Sequence, residues 1–245
     1  EDLVLENCDV SRTRQQHLVS RPEKEAIGKD FLELRDVKTW ETYGSGIWLE
    51  GCKGAKVTGC TAQEGQNGII LRDTEASRIL NNDCRYNSGW GIGLWRSVDN
   101  VVMWNLADFC LRGSWWPNYH AGSDSAALVV VNASHRNFIV ANSLTHSGDG
   151  FFLSNRQDIR KPQDGACNDN VVAFNDGSVA ATNAFESTFS ERNVFVGNLG
   201  TRSNYAFWGG FSHHNLFVGN DFSRNRQIGF AIEQGRNNVI ESNRI

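Results

Sequence analysis

One six-residue pattern, Asn followed by alternating apolar residues and a second Asn, recurs in a fixed frame along the chain. Its clearest copies are NVVAFN (170–175), NVFVGN (193–198), NLFVGN (215–220) and NVIESN (238–243). Their first Asn residues are separated by 23, 22 and 23 residues. The same frame extends back through NFIVAN (137–142) and NVVMWN (100–105). A period of this length is typical of stacked structural units rather than of a conventional core.

Each unit also contains a second short apolar segment about ten residues later. These segments start with a small residue, as in GIIL (68–71), GIGL (91–94), GFFL (150–153) and GFAI (229–232). Alternating apolar positions indicate strands, and the gaps between them are rich in turn residues. The pattern predicts an all-β fold, a right-handed single-stranded parallel β-helix of about ten coils with 22–25 residues each. Aligned Asn side chains should then form ladders that bond backbone groups of the next coil.

The alternative fold is an antiparallel sandwich or barrel, whose hairpin turns would not recur in one fixed frame. A solenoid grows by adding coils, so we expect residues 1–245 to form a single domain. Both ends resemble the interior of a coil and lack polar caps, so we expect the domain to be part of a longer chain.

Composition limits the classes of partner. The net charge of −4 and the pI near 5.9 argue against nucleic acid, and the chain contains no apolar run long enough to span a membrane. The six cysteines include no Cys-x-x-Cys pair, so we predict no metal site. The sequence does not decide whether a Cys52–Cys60 or a Cys60–Cys84 disulfide forms.

Two coils carry insertions, within residues 108–125 and 154–169. Asn100 and Asn137 are 37 residues apart, and Asn137 and Asn170 are 33 apart, against 22 or 23 elsewhere. The insertions flank the same strand position on neighbouring coils, so we expect them to wall a groove that binds a substrate. The first loop supplies three aromatic rings, which suit stacking on sugars or packing of the loop itself: Trp115, Trp116 and Tyr119. The second loop supplies Arg156, whose positive charge suits binding of a uronate carboxylate.

Aligning the coils on the small residue of the second strand predicts the groove floor. Glu186 should point outward and lie exposed between Phe152 and Trp208 of the two neighbouring coils, a setting that raises a carboxyl pKa. Asp149 precedes the small residue of its coil, and Ser125 takes that place one coil earlier, with Asp124 one step before it. The carboxyl groups of Asp124 and Asp149 should then lie about 5 Å apart, which is the spacing in retaining glycosidases. Those of Asp149 and Glu186 should lie about 10 Å apart, which is closer to the spacing in inverting enzymes.

The remaining candidates lie near these acids. Tyr205 occupies the Asp149 column two coils later, and it is a candidate sugar contact together with Phe152 and Trp208. His120 and His146 are candidate bases or orienting groups. Each acid and each His also has an ordinary structural reading, as a turn residue or a solvated side chain.

The Asn-x-Val-x-x-Asn pattern, followed by a turn and Gly-[Ile/Phe]-x-[Leu/Ile], resembles that of the right-handed parallel β-helix superfamily, which includes pectate-lyase-like proteins, mannuronan C5-epimerases and NosD-type proteins. The resemblance covers residues 30–245 and identifies no subfamily. It implies carbohydrate chemistry in a secreted, periplasmic or cell-surface protein. Trimers occur in the superfamily, so a homo-oligomer stays open.

Three functions follow as hypotheses. The first is a glycoside hydrolase acting on a poly- or oligosaccharide without a cofactor, with Glu186 as general acid and Asp149, assisted by Asp124, as base or nucleophile. The second is a polysaccharide lyase or uronate C5-epimerase with a His, Tyr or Lys base, and with Arg156 or bound calcium neutralising the uronate. The third is a non-catalytic glycan-binding or structural solenoid.

Overall fold

The computed structural model describes residues 3–12, 44–111, 125–154 and 165–245. All regular elements in these ranges are strands that pair in parallel, in two sheets. In chain order the strands are β1 (Val4–Glu6), β2 (Ile47–Glu50), β3 (Lys56–Thr58), β4 (Asn67–Arg72), β5 (Arg78–Leu80), β6 (Trp90–Trp95), β7 (Val101–Met103), β8 (Ala126–Val131), β9 (Phe138–Val140), β10 (Asp149–Ser154), β11 (Val171–Ala173), β12 (Asn183–Thr188), β13 (Val194–Val196), β14 (Tyr205–Gly210), β15 (Leu216–Val218), β16 (Ile228–Glu233) and β17 (Val239–Glu241).

The chain alternates between the two sheets, as a parallel β-helix requires. The odd-numbered strands form a nine-stranded sheet in chain order, and the even-numbered strands form an eight-stranded sheet. The fold predicted from the repeat is therefore confirmed, while the count of about ten coils for the whole chain stays a prediction. In the part of the chain that the structure describes, no helix has the length and hydropathy needed to cross a bilayer.

The Asn ladders hold neighbouring coils together at both ends of each three-residue strand. In one ladder, Asn137 Oδ1 accepts the Asn100 backbone N–H at 3.0 Å, and Asn137 N–H donates to Asn170 Oδ1 at 3.0 Å. A second ladder runs through Asn142 and Asn175 with the same geometry. These side chains are buried, and each satisfies backbone groups that would otherwise lack partners. The predicted structural role of the repeated Asn residues is confirmed.

The bore between the sheets is filled by one inward residue from each short strand and by two or more from each long strand. The middle residues Val102, Ile139, Val172 and Phe195 are 0% exposed. Towards the C-terminal coils the filling becomes aromatic, with Phe207 and Phe217 in edge contact at 4.6 Å between ring centroids. Thiols also serve as filling: all six cysteines are free, so neither disulfide left open by the sequence is present.

The corner that follows each short strand has a backbone conformation that the repeat did not reveal. Asn81, Trp104 and Phe174 occupy equivalent corners with φ of 54°, 58° and 57°. Most L-residues avoid this left-handed region, and only Asn and Gly adopt it readily. The side chains of Trp104 and Phe174 project from the surface at these corners, with 56% and 65% of each residue exposed.

Candidate functional site

The outer face of the eight-stranded sheet carries the predicted acids. Phe152 of β10 pairs with Glu186 of β12, and Glu186 pairs with Trp208 of β14, so the column read from the repeat is confirmed. The prediction that Glu186 is exposed is wrong, because its side chain is only 2% exposed.

The burial has a cause that strand alternation does not reveal. A residue pointing away from the bore is exposed only if nothing packs on the sheet. Here the outer face has a hydrophobic cluster of its own, in which Phe152 is 2% exposed; its other members are Ile70, Trp90, Trp95, Ala126, Val129 and Val131, with Trp48 packed against them. Glu186 therefore lies at the border between an apolar floor and the half-buried Trp208.

Asp149 begins β10 and bonds to the next coil. Its Oδ1 accepts the Asn183 backbone N–H at 2.9 Å and the Thr182 hydroxyl. Asp149 is only 7% exposed. Burial raises the pKa of Asp149 to about 6, and the hydrogen bonds from Thr182 and Asn183 oppose that rise. Asp149 is thus a carboxylic acid that keeps a proton to an unusually high pH.

Asn183 links the two acids. Its backbone N–H reaches Asp149, and its side-chain amide donates to Glu186 Oε2 at 2.8 Å. The result is a pair of buried carboxyl groups attached to one residue, with different hydrogen-bond partners. Paired carboxyl groups in different environments are the usual means of combining an acid with a base. Sequence reasoning placed Asn183 in the Asp149 column but missed its bridging role, as it missed Thr182.

The alignment of Asp124 with this column needs a correction. Asp149 pairs with Ala126, whereas Ser125 accepts the Asp149 backbone N–H through its carbonyl and lies one place earlier. Three small residues in a row, Ser125, Ala126 and Ala127, follow the first insertion. The position of the small residue that marks the strand was therefore ambiguous in the sequence. Asp124 itself lies outside the described residues, so its spacing from Asp149 stays a prediction.

Two predicted sugar contacts lie on the coil after Glu186. Tyr205 pairs with Asn183 and Trp208 pairs with Glu186, and both are half-buried. They form the more open side of the acid pair, since the Phe152 side is closed by the apolar cluster. Their roles as sugar contacts stay predictions.

His146 lies apart from the acids in its described contacts. It is an exposed residue of the turn before β10, and its ring stacks on Phe109 with centroids 4.6 Å apart. Its Nδ1 lies 2.9 Å from Thr145 Oγ1. These contacts tie His146 to its turn, and its role as a base or orienting group stays a prediction. The other predicted site residues lie outside the described residues, and their roles stay predictions: Trp115, Trp116, Tyr119, His120 and Arg156.

Comparison with known proteins assigns the family. A model described as "Periplasmic copper-binding protein (NosD)" matches residues 1–160 and 118–245. The chain belongs to the NosD family. No curated protein matches the chain in sequence.

Solved structures similar to this NosD-family chain are parallel β-helix proteins. The periplasmic alginate epimerase AlgG superimposes with a TM-score of 0.61 at 13% identity, over 78% of this chain and 51% of that one. A DFA-IIIase from Arthrobacter chlorophenolicus A6, solved in complex with GF2, gives a TM-score of 0.59 at 13% identity, over 80% and 50% of the two chains. The chain spans about half the length of each, and at this identity the likeness shows the fold alone.

The family to which the chain belongs is described as copper-binding. Copper favours thiolate, thioether and imidazole ligands brought together. Within the described ranges, no group of three or more His, Cys, Asp and Glu residues could hold a metal ion. The Cys110 and Cys167 thiols are buried, which raises each pKa to about 12 and keeps the protons on sulfur. The described residues therefore do not fit a copper centre.

Proposed function

We propose that the protein is a carbohydrate-active enzyme that hydrolyses a glycosidic bond of a poly- or oligosaccharide on the outer face of the eight-stranded sheet. The observation that carries the proposal is the bridged acid pair, in which Asp149 has a pKa of about 6 and lies one coil from Glu186. Glycoside hydrolysis needs two carboxyl groups with different protonation states. A location outside the cytoplasm is part of the proposal and is supported by the family description.

The geometry favours exchanging the two roles assigned from sequence. Asp149 is the group that burial keeps protonated, and this suits it to donate a proton to the leaving glycosidic oxygen. Glu186 accepts an amide N–H from Asn183 at 2.8 Å, which orients its carboxyl group, and glycoside hydrolysis needs the second carboxyl group as base or nucleophile. We therefore assign Glu186 as the base or nucleophile. Asn183 is a positioning residue, while Tyr205 and Trp208 supply sugar-binding surfaces.

The experiment is incubation with a panel of neutral and uronate polysaccharides, reading reducing ends together with the absorbance of unsaturated uronates. Hydrolysis gives reducing ends without absorbance. Glu186→Gln and Asp149→Asn should each lower the rate about 100- to 10,000-fold. Glu233→Gln is the matched control, because Glu233 lies exposed on β16 of the same sheet and outside the acid pair.

The pH dependence separates the two roles. If Asp149 acts as the acid, the rate should fall as the pH rises through about 6, because its proton is lost. Unsaturated products would instead identify a lyase. Silence on every substrate by a folded protein, or full activity of both acid variants, would overturn the assignment and favour a binding scaffold.

A further inference from the structure

The outer face of the nine-stranded sheet is apolar over five consecutive strands. The middle residue of each strand points into the bore, so its two neighbours point outward. From β7 to β15 none of these outward residues carries a charge or a hydrogen-bonding side chain; they are Val101, Met103, Phe138, Val140, Val171, Ala173, Val194, Val196, Leu216 and Val218. Phe138 is 50% exposed and Leu216 36%. Trp104 and Phe174, at the adjoining corners, are 56% and 65% exposed.

We call these ten residues with Trp104 and Phe174 the apolar face. Single exposed apolar residues are ordinary on a protein surface, but a contiguous and flat area of this kind marks an interaction site. It lies on a different sheet from the acid pair, so its role is separate from the proposed sugar chemistry. The buried partners of the face, such as Ile139 and Val172 at 0% exposure, hold its strands rigid.

Charged residues bound the apolar face at both ends, and the two ends have opposite sign. Arg78 lies outward on β5, one strand before the face begins, and Glu241 lies outward on β17, one strand after it ends. Both side chains are exposed, and neither has an ion-pair partner among the described residues. By contrast, Lys56 on β3 already pairs with Glu6 at 2.6 Å.

We propose that the apolar face is the interface of a homodimer in which two copies pack face to face with their solenoid axes antiparallel. Counting from β5 to β17 along the sheet, β11 is the central strand of seven. A two-fold axis parallel to β11 superposes β7 of one copy on β15 of the other, and β5 on β17. Every apolar strand then meets an apolar strand, and Arg78 of each copy lies near the Glu241 of the other.

Charge complementarity selects this arrangement over the alternative. If the two solenoid axes were parallel, each strand would lie on the equivalent strand of the other copy. Arg78 would then lie near the Arg78 of the other copy, and Glu241 near its Glu241. Like charges across an interface disfavour a complex, and opposite charges fix its register. A C2 interface also requires one self-complementary patch, which a face centred on β11 with ends of opposite sign provides.

The area of the face indicates which class of complex it can form. With strands about 4.8 Å apart, seven strands span about 29 Å, and three residues with their flanks are about 15 Å wide. Each copy thus contributes roughly 450 Å², or roughly 900 Å² in total, which is below the range of stable complexes and within that of weak, transient ones. We therefore expect a weak dimer that forms in a concentration-dependent way, in the micromolar range or above.

The test is sedimentation velocity on the purified chain across concentrations from about 1 to 300 µM, the range in which a weak dimer forms. The wild type should change from monomer to dimer. Phe138→Lys places two charges in the contact and should weaken the dimer at least about 100-fold, because each would be buried without a partner. The control is Tyr86→Lys: Tyr86 is 48% exposed, close to the 50% of Phe138, but lies outside the face. It should leave dimerisation unchanged.

A charge exchange tests the antiparallel arrangement itself. Arg78→Glu should weaken the dimer about 10-fold, because two like-charge contacts replace two favourable ones. Adding Glu241→Arg to the same chain should restore it. Monomer at every concentration, or a dimer that tolerates Phe138→Lys, would overturn the proposal, as would a failure of the exchange to restore the dimer. A monomer that binds zwitterionic phospholipid vesicles through Phe138 would overturn it in favour of a membrane surface.

Discussion

Replacing Asn137 with Ala should show how much stability one rung of an Asn ladder contributes. Asn137 Oδ1 accepts the Asn100 backbone N–H at 3.0 Å, and Asn137 Nδ2 donates to the Ser97 carbonyl at 3.0 Å. Asn137→Ala leaves the Asn100 N–H and the Ser97 carbonyl without these bonds. The site is 0% exposed, so water does not replace them. Each buried backbone group left unsatisfied costs about 1–3 kcal/mol. We therefore expect the free energy of unfolding to fall by about 4 kcal/mol.

The assay is urea unfolding followed by tryptophan fluorescence. With a denaturant slope of about 2–3 kcal/mol/M, a loss of this size lowers the midpoint by more than about 1 M. Asn243→Ala is the matched control, because Asn243 makes the same bond to the Asn220 backbone N–H at 2.9 Å but is only half-buried. Water then replaces the lost bond, and the cost should be about 1 kcal/mol. Equal shifts in the two variants, or an Asn137→Ala midpoint equal to that of the wild type, would refute the reasoning.

The other predictions concern the acid pair, the close approach of coils and the thiols. The pKa of Asp149 is raised to about 6, so the folded state binds a proton more tightly than the unfolded state. The free energy of unfolding should therefore fall by about 2 kcal/mol as the pH rises from 4 to 7. Asp149→Asn should abolish that dependence in unfolding measured against pH. Gly150→Ala should destabilise the fold by about 2–3 kcal/mol in thermal unfolding, because its Cβ would lie 2.5 Å from the Ala184 carbonyl oxygen. Gly219→Ala, with φ of +64° and nothing within 4 Å, should cost only about 1 kcal/mol. An aromatic disulfide reagent should label the half-buried Cys8 and Cys52 in the native protein. It should label the four buried cysteines only after unfolding: Cys60, Cys84, Cys110 and Cys167. Rapid labelling of all six in the native protein would contradict this burial.

The fold was predictable because its determinants repeat at short range. Every coil presents the same Asn frame, and each Asn bonds the backbone of a coil 22 or 23 residues away where no insertion intervenes. The frame also fixes the register of the second strands, which is why the Phe152, Glu186 and Trp208 column could be read in advance. Where an insertion interrupts the frame, the prediction failed: Ala126 rather than Ser125 takes the place beside Asp149.

The environment of the acids was not predictable in the same way. Strand alternation correctly pointed Glu186 away from the bore, but the outer apolar cluster that borders it draws Trp90, Val129 and Phe152 from three coils. The Asp-Gly pair at 149–150 suggested an ordinary turn. Its bonds to Thr182 and Asn183 join residues 33 and 34 positions apart, and no pattern in the sequence marks them.

The amino-acid sequence by itself thus determines the periodic framework, which comprises the strands, the Asn ladders and the order of equivalent residues from coil to coil. All of these depend on contacts that recur once per coil. Only the tertiary structure decides that Asp149 holds its proton to about pH 6 and that Asn183 joins it to Glu186. The physical reason is that desolvation sums over all neighbouring atoms, and those atoms come from separate coils whose side chains follow no common period.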